Sequence, residues 1–195
     1  MSHGLIAAPE HLVQIAQQTF RAALTALSEP VRSVSVPSVT APDGVMPAVW
    51  ALVLSLFDDD IRVYWPDCPT HVRANVAFHT RAHMVDAPSD ADWLVVSAES
   101  PETLSLLDAV SVGTHERPDL AASILFITGE EATDVVAEGP GILGTVEQRL
   151  PISHALASRL AQKSAIYPLG FDSYLVLEQA VIGLPRSTRF QVRVD

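Results

Sequence analysis

Residues 93–110, WLVVSAESPETLSLLDAV, decide the fold class because an apolar strand is followed within a few residues by a helix. Trp93–Ser97 is a short apolar run of the kind that forms a buried strand. Ser100 is suited to the N-cap of a helix and the proline after it to the first helical position, so we predict a helix over 100–110. The run at 121–128 predicts another buried strand, and this alternation is typical of an α/β fold.

The same alternation extends toward both ends of the chain. Apolar residues recur every three or four positions over 12–27, which predicts an amphipathic helix. The β-branched run at 31–39 contains Pro37, which favours a strand near the edge of a sheet. The other predicted elements are helices over 45–57, 70–78 and 152–165, strands over 61–65 and 133–137, and a hairpin of 173–184 with 188–194. We therefore expect one α/β domain over residues 1–195, with a mixed β-sheet sandwiched by helices.

The composition limits the partners and the location of the protein. The 195 residues contain 12 lysines and arginines against 23 aspartates and glutamates, a formal net charge of -11. Because nucleic acids and anionic membranes attract clustered cations, this balance argues against both as partners. The longest apolar run, 45–57, is shorter than a membrane-spanning helix. The only cysteine, Cys68, forms no disulfide within the chain, and no secretory signal pattern is present, so we expect a cytoplasmic protein.

A glycine-rich motif follows the predicted strand at 133–137. Residues 139–144, GPGILG, match the G-x-G-x-x-G pattern of dinucleotide-binding folds. In those folds a long helix begins at the motif, but here only six residues separate Gly144 from Pro151. We therefore interpret the motif as a turn that ends a strand.

Other polar groups have only part of what a reactive site needs. His79 and His83 are four residues apart and would share a face if both lay on one helix, as metal ligands do. The acidic run 58–60 offers carboxylates, which Mg²⁺ prefers, but three consecutive side chains do not converge from a regular element. Cys68 has no flanking cation to activate its thiol. The sequence therefore predicts neither a metal site nor a nucleophile paired with a base.

Six short segments in order along the chain carry a resemblance to a known family. They are 20–30 (FRAALTALSEP), 78–80 (FHT), 112–114 (VGT) with Pro118 after it, 139–142 (GPGI), 167–172 (YPLGFD) and 184–189 (LPRSTR). Together they resemble the PhnH family, a component of the carbon–phosphorus lyase system for phosphonate breakdown. The sequence departs from that family's pattern at Val31, where glycine is common, and at Ala77 and Val136, where arginine is common.

The resemblance implies a fold like the large domain of fold-type I pyridoxal-phosphate transferases, without the cofactor. It also implies a complex with subunits G, I and J, assisted by the L subunit, and a homodimer when the protein is isolated. In that complex ribose triphosphate passes from ATP to an alkylphosphonate and adenine is released, and this component is not expected to act alone. Pyridoxal phosphate is held through a lysine, and Lys163 is the only lysine in the chain. We expect Lys163 at the surface of its helix, and hence no bound cofactor.

A few side chains are candidates for contact with a ligand or partner. His79 has the chemistry of a general acid or base near neutral pH, and the planar fork of Arg186 suits a phosphate or carboxylate. The other candidates are Asp172, Thr188, Gly139 and Gly141. A structural role is open for each, since Asp172 can pair with Arg186 or Arg189, and the glycines can serve backbone turns.

Two other functions are compatible with the same residues. One is an autonomous small-molecule enzyme that uses the α/β cleft. The other is a purely structural homodimeric scaffold. The mean hydropathy of +0.25 is high for a chain of this length and agrees with surfaces that are buried against partners.

Overall fold

The computed structural model describes residues 4–164 and 166–193 of the chain. Within these residues the helices are α1 (Leu12–Ser28), α2 (Pro47–Leu56), α3 (Thr70–Thr80), α4 (Pro101–Ala109) and α5 (His154–Ser164). The strands are β1 (Ser33–Ser35), β2 (Arg62–Tyr64), β3 (His83–Met84), β4 (Trp93–Ser97), β5 (Ser123–Ile127), β6 (Thr133–Glu138), β7 (Thr145–Leu150), β8 (Asp172–Val176), β9 (Ala180–Leu184) and β10 (Arg189–Val192). None of the described helices has the length and apolar character to cross a membrane.

Seven strands form a mixed sheet in the order β1-β9-β8-β5-β4-β2-β3. Five neighbouring strands of this sheet, β3, β2, β4, β5 and β8, are parallel. β9 and β1 are antiparallel to their neighbours. The apolar run quoted first is β4, in the middle of the sheet, where Trp93 lies opposite Ser123 of β5. α4 forms the crossover that parallel pairing of β4 and β5 requires. The predicted mixed sheet flanked by helices is therefore confirmed, with β1 at its edge.

The large sheet separates two hydrophobic cores. The first core lies under α1, α2 and α3 and takes Val95 and Leu125 from the central strands. The second core lies under α4 and α5 and takes Leu94 and Ile124 from the same strands. Because successive side chains of a strand point to opposite faces, β4 and β5 are buried on both, which explains their uninterrupted apolar sequence.

The predicted N-terminal helix is confirmed as α1, but the side chains that it buries are small. The buried residues are Thr19, Ala22, Ala23 and Ala26. Phe20 and Leu24, which belong to the apolar repeat, are instead 47% and 52% exposed. The cause is close packing on β9, since a Cβ at Gly183 would lie only 2.3 Å from the carbonyl oxygen of Ala26. Large side chains do not fit at such a backbone contact, so Phe20 and Leu24 lie on the outer face, and Ile15 and Leu27 are only partly buried against the core.

A second sheet, in the order β10-β6-β7, packs against the second core. This sheet is not predicted from the sequence, and the predicted hairpin of 173–184 with 188–194 is wrong. β8 and β9 form a hairpin inside the large sheet, whereas β10 pairs with β6. A turn closed by the N–H of Thr188 on the oxygen of Pro185, over 2.9 Å, leads the chain from one sheet to the other. Ala165 and Val194, the predicted ends of two elements, lie outside the described residues.

Candidate functional site

Arg186 and Asp172, two of the candidates, bind each other. Asp172 is the first residue of β8, and Arg186 lies in the turn between β9 and β10. Nη2 of Arg186 is 2.8 Å from Oδ2 of Asp172, and Nε is 3.3 Å from both carboxylate oxygens. The backbone N–H of Arg186 also donates to Oδ1 over 2.9 Å. One residue thus supplies a backbone donor and two guanidinium donors to this carboxylate.

The guanidinium of Arg186 has a further contact that ties the pair to another loop. Nη1 donates to the backbone oxygen of Pro118 over 3.0 Å. The side chains of Arg186 and Asp172 are 18% and 27% exposed, so solvent screens the ion pair only in part. Arg189, the other partner considered for Asp172, pairs with Glu138 instead. The Asp172–Arg186 pair is therefore a clamp that holds the turn between the two sheets.

Gly139 and Gly141 lie in the turn between β6 and β7, where the backbone requires glycine. Their φ angles are 138° and 86°. A Cβ at Gly139 would lie 2.9 Å from the oxygen of Ser187, and one at Gly141 would lie 2.2 Å from the oxygen of Ser28. A strand, β7, follows the motif from Thr145. The geometry agrees with the interpretation of the G-x-G-x-x-G motif as a turn, and the two glycines let the hairpin approach neighbouring backbone.

Val31 lines the same groove as Gly141 and has a backbone conformation that glycine prefers. Its φ is 60°, and its side chain is buried. The N–H of Val31 donates to the oxygen of Gly183 over 3.1 Å, which fixes the backbone at this point. A left-handed conformation strains a residue other than glycine by about 1–2 kcal/mol. The structure thus gives a physical reason for the glycine that is common at this position in the family that the sequence resembles.

Thr188 lies in the turn before β10 and has a buried hydroxyl without a partner among the described residues. The residue is 2% exposed, and its Oγ1 makes no hydrogen bond. It lines a cavity of about 20 Å³ beside α5 and the start of β8. The polar side chains around this cavity are Lys163, Ser164, Ser173, Arg186 and Thr188. An unpaired buried hydroxyl costs about 1–3 kcal/mol, so a molecule bound in the cavity would relieve this cost.

Lys163 is not the surface residue that the sequence analysis predicts. Its side chain is 21% exposed, and its Nζ lies 3.3 Å from Oδ1 of Asp108. Arg159, one turn earlier on α5, binds the same carboxylate. Because α5 packs against β10, Lys163 and Thr188 line one cavity. The sequence contains no local signal for this, since the two residues belong to elements that meet only in the folded chain.

His79 lies apart from the other candidates, at the end of α3. Its Nε2 is 3.1 Å from the backbone oxygen of Ile6. Its ring lies edge-on to Trp50 and Phe78, with centroids 5.7 and 4.9 Å away. Trp50 belongs to the first core, whereas the cavity at Thr188 is lined by residues of the second. The structure therefore does not bring His79 together with Arg186, and its contacts hold the N-terminal segment against α3.

The two histidines lie at a helix end and on a strand, and the acidic run forms an exposed turn. α3 ends before Arg81, whose φ is 62°, so His83 lies on β3 and does not share a helix face with His79. The carboxylates of the run 58–60 are exposed, with one oxygen of each within 4.8 Å of the others. Asp58 accepts the backbone N–H of Asp60 over 3.0 Å, as in an ordinary turn.

Cys68 has the environment of an inert thiol. The residue is buried, and burial raises the pKa of its thiol to about 11, an effect that Arg73 opposes only in part. Nε of Arg73 is bound to the backbone oxygen of Cys68 over 3.3 Å. Because the thiolate is the reactive form, this shift disfavours reaction of the thiol at neutral pH.

Similarities to known proteins cover most of the chain. The family model for the bacterial phosphonate metabolism protein (PhnH) matches residues 8–191. A protein of Rhizobium meliloti (strain 1021), the alpha-D-ribose 1-methylphosphonate 5-triphosphate synthase subunit PhnH, is 26% identical over 182 residues, 90% of this chain and 90% of the relative. The range that the family model matches includes all six segments that carry the resemblance and every candidate side chain.

Proposed function

Because the chain belongs to the PhnH family of bacterial phosphonate metabolism proteins, we propose that it is one component of an assembly that makes ribosyl phosphonate triphosphates. Its partners in this proposal are the carbon–phosphorus lyase subunits G, I and J, joined by the L subunit. The assembly transfers ribose triphosphate from ATP to an alkylphosphonate and releases adenine. The observation that carries the proposal is the family match over residues 8–191.

The contacts of the candidate side chains favour a component of an assembly over a complete enzyme. Arg186 is bound to Asp172 and to the backbone of Pro118, and His79 is bound to the backbone of Ile6 on the other side of the sheet. An autonomous enzyme that works by covalent catalysis brings a nucleophile and a base within hydrogen-bond reach. Here the best-suited groups hold backbone segments together instead.

The outer face of α1 supports contact with another protein. Val13, Phe20 and Leu24 are exposed on this helix, at spacings that bring them onto one side. Exposed apolar side chains that share a face are typical of surfaces that associate. The proposal assigns this face to contacts with the other subunits or, in the isolated protein, with a second copy.

The proposal gives the chain a transferase-like fold that works without pyridoxal phosphate. The mixed sheet with helices on both faces agrees with such a fold. The Nζ of Lys163 forms an ion pair with Asp108, whereas the internal aldimine of a pyridoxal-phosphate enzyme is formed by an unpaired lysine amine. Purified protein with the reducible yellow absorbance of an aldimine would contradict this part of the proposal. The proposal also includes a cytoplasmic location, since the reaction consumes ATP.

Co-expression with subunits G, I and J, one of them tagged, tests the proposal. The chain is expected to co-purify with the tagged protein in a fixed ratio. Leu24→Arg, which puts a charge on the outer face of α1, is expected to reduce the amount recovered, while Arg149→Gln, at an exposed position on β7 of the second sheet, serves as the control. A chain that is absent from the purified assembly would refute the proposal, and turnover of ATP with alkylphosphonate by the isolated chain would favour an autonomous enzyme.

A further inference from the structure

The cavity beside Thr188 differs in the charge of its lining from two other clefts, the groove at Val31 and the cleft beside β10. Lys163 and Arg186 line it, and its lining contains no carboxylate. The groove at Val31 contains Glu29, and the cleft on the far side of β10 contains Glu138. Each of these cations is already paired with a carboxylate outside the lining, Asp108 or Asp172, so the cavity favours an anion through the N–H groups that these pairs leave free.

The hydroxyl of Thr188 points to the same kind of ligand. Two other hydroxyls line the cavity, and both already donate, Ser164 to the oxygen of Ala161 over 2.8 Å and Ser173 to the oxygen of Leu184 over 3.3 Å. Among the hydroxyls that line the cavity, only that of Thr188, on a residue that is 2% exposed, has no hydrogen bond within the described part of the chain. A buried O–H group without an acceptor is a donor that an anionic oxygen would satisfy.

The two cations have further donors that their present contacts do not use. An ammonium ion has three N–H donors, and within residues 4–164 and 166–193 the Nζ of Lys163 has one polar contact, to Asp108. A guanidinium has five N–H donors. Arg186 uses Nε and Nη2 to bind Asp172 and Nη1 to bind the backbone oxygen of Pro118. One N–H on Nη1 and one on Nη2 are left. Both groups therefore retain N–H donors for an oxyanion in addition to the bonds that hold the fold.

The size of the cavity limits how the anion binds. The enclosed part, about 20 Å³, holds a single oxygen atom, while the empty space including the open mouth is about 310 Å³. A tetrahedral oxyanion can place one oxygen against Thr188 and keep its other groups in the mouth. We propose that this cavity binds the phosphoryl or phosphonyl group of a small anion. The inference takes its ligand class from the proposed function, but it concerns the isolated chain and does not require the assembly.

Calorimetric titration of the isolated chain with inorganic phosphate, and separately with methylphosphonate, tests the inference. Thr188→Val removes the hydroxyl at nearly constant volume and is expected to weaken binding about tenfold or more, while Thr188→Ser retains it and is expected to bind like the wild type. Lys163→Gln is expected to weaken binding, and Arg149→Gln, which removes a cation from an exposed pair, is the matched control. Binding of either anion supports the site. The ratio of the two affinities shows whether the site prefers a phosphoryl or a phosphonyl group.

The stability of Thr188→Val distinguishes an anion from a bound water. If the hydroxyl has no partner in the ligand-free protein, the valine variant is at least as stable as the wild type, and phosphate raises the melting temperature of the wild type only. Absence of binding by the wild-type chain would overturn the inference whatever the fate of the assembly. Equal affinity in the wild type and Thr188→Val would overturn it as well.

Discussion

Replacement of Asp172 by alanine is expected to lower the free energy of unfolding by about 2–3 kcal/mol. The carboxylate accepts hydrogen bonds from the backbone N–H, Nε and Nη2 of Arg186, so its loss leaves a largely buried guanidinium without its counter-ion. Removal of one partner from a fully buried ion pair costs about 3–5 kcal/mol. The side chains here are 18% and 27% exposed, which lets water compensate in part and puts the expected loss below that range.

The control for this prediction is an ion pair of the same type at the surface. Arg149 and Asp134 are 67% and 53% exposed, and loss of such a pair costs at most about 1 kcal/mol, so Asp134→Ala is expected to be nearly neutral. Asp172→Asn retains one acceptor oxygen and is expected to lie between the two alanine variants. The double variant Arg186→Ala, Asp172→Ala is expected to lose less free energy of unfolding than the sum of the two single variants. Each single variant leaves one charged side chain without its partner.

Urea unfolding, followed by the fluorescence of the three tryptophans, of which Trp50 is fully buried, measures these free energies by linear extrapolation. Equal destabilisation by Asp172→Ala and Asp134→Ala would refute the clamp. Strict additivity of Asp172→Ala and Arg186→Ala would refute it independently of the absolute values.

Three further predictions concern backbone strain and the thiol, and the first two use the same urea assay. Val31→Gly is expected to be more stable than Val31→Ala by about 1 kcal/mol, because only glycine relieves the positive φ, and the reverse order would contradict this. Gly141→Ala is expected to cost more than Gly144→Ala, since both have positive φ but only Gly141 lies against backbone; equal losses would exclude the clash. Folding raises the pKa of Cys68 from 9.0 to about 11, so the free energy of unfolding is expected to fall from pH 9 to 11. A Cys68→Ala variant with the same pH dependence would exclude the thiol as the cause.

The large sheet could be predicted because its central strands are buried on both faces. β4 and β5 are apolar runs, and a helix start at Ser100 and Pro101 follows β4 directly, so local sequence is sufficient. The second sheet could not be predicted in this way. β7 has the sequence TVEQRL, with charged side chains on its solvent face, and only its pairing with β6 makes it a strand.

The candidate site can be predicted from sequence to a similar, limited degree. The pairing of Asp172 with Arg186 follows from opposite charges at the ends of adjacent strands, and it is one of the two pairings that the sequence allows. The predicted position of Lys163 is wrong because the exposure of a helical side chain depends on what packs beside it. α5 packs against β10, and the sequence assigns β10 to a different hairpin. The cavity at Thr188 depends on that same contact between distant elements.

The most direct measurement for the central claim is adenine release from ATP and methylphosphonate by the assembly of subunits G, I, J and L, prepared with and without this chain. We expect release in the complete mixture, loss of release when the chain is omitted, and recovery when the purified chain is added back in a fixed ratio to the other subunits. Release at the same rate without the chain would contradict its role as a required component.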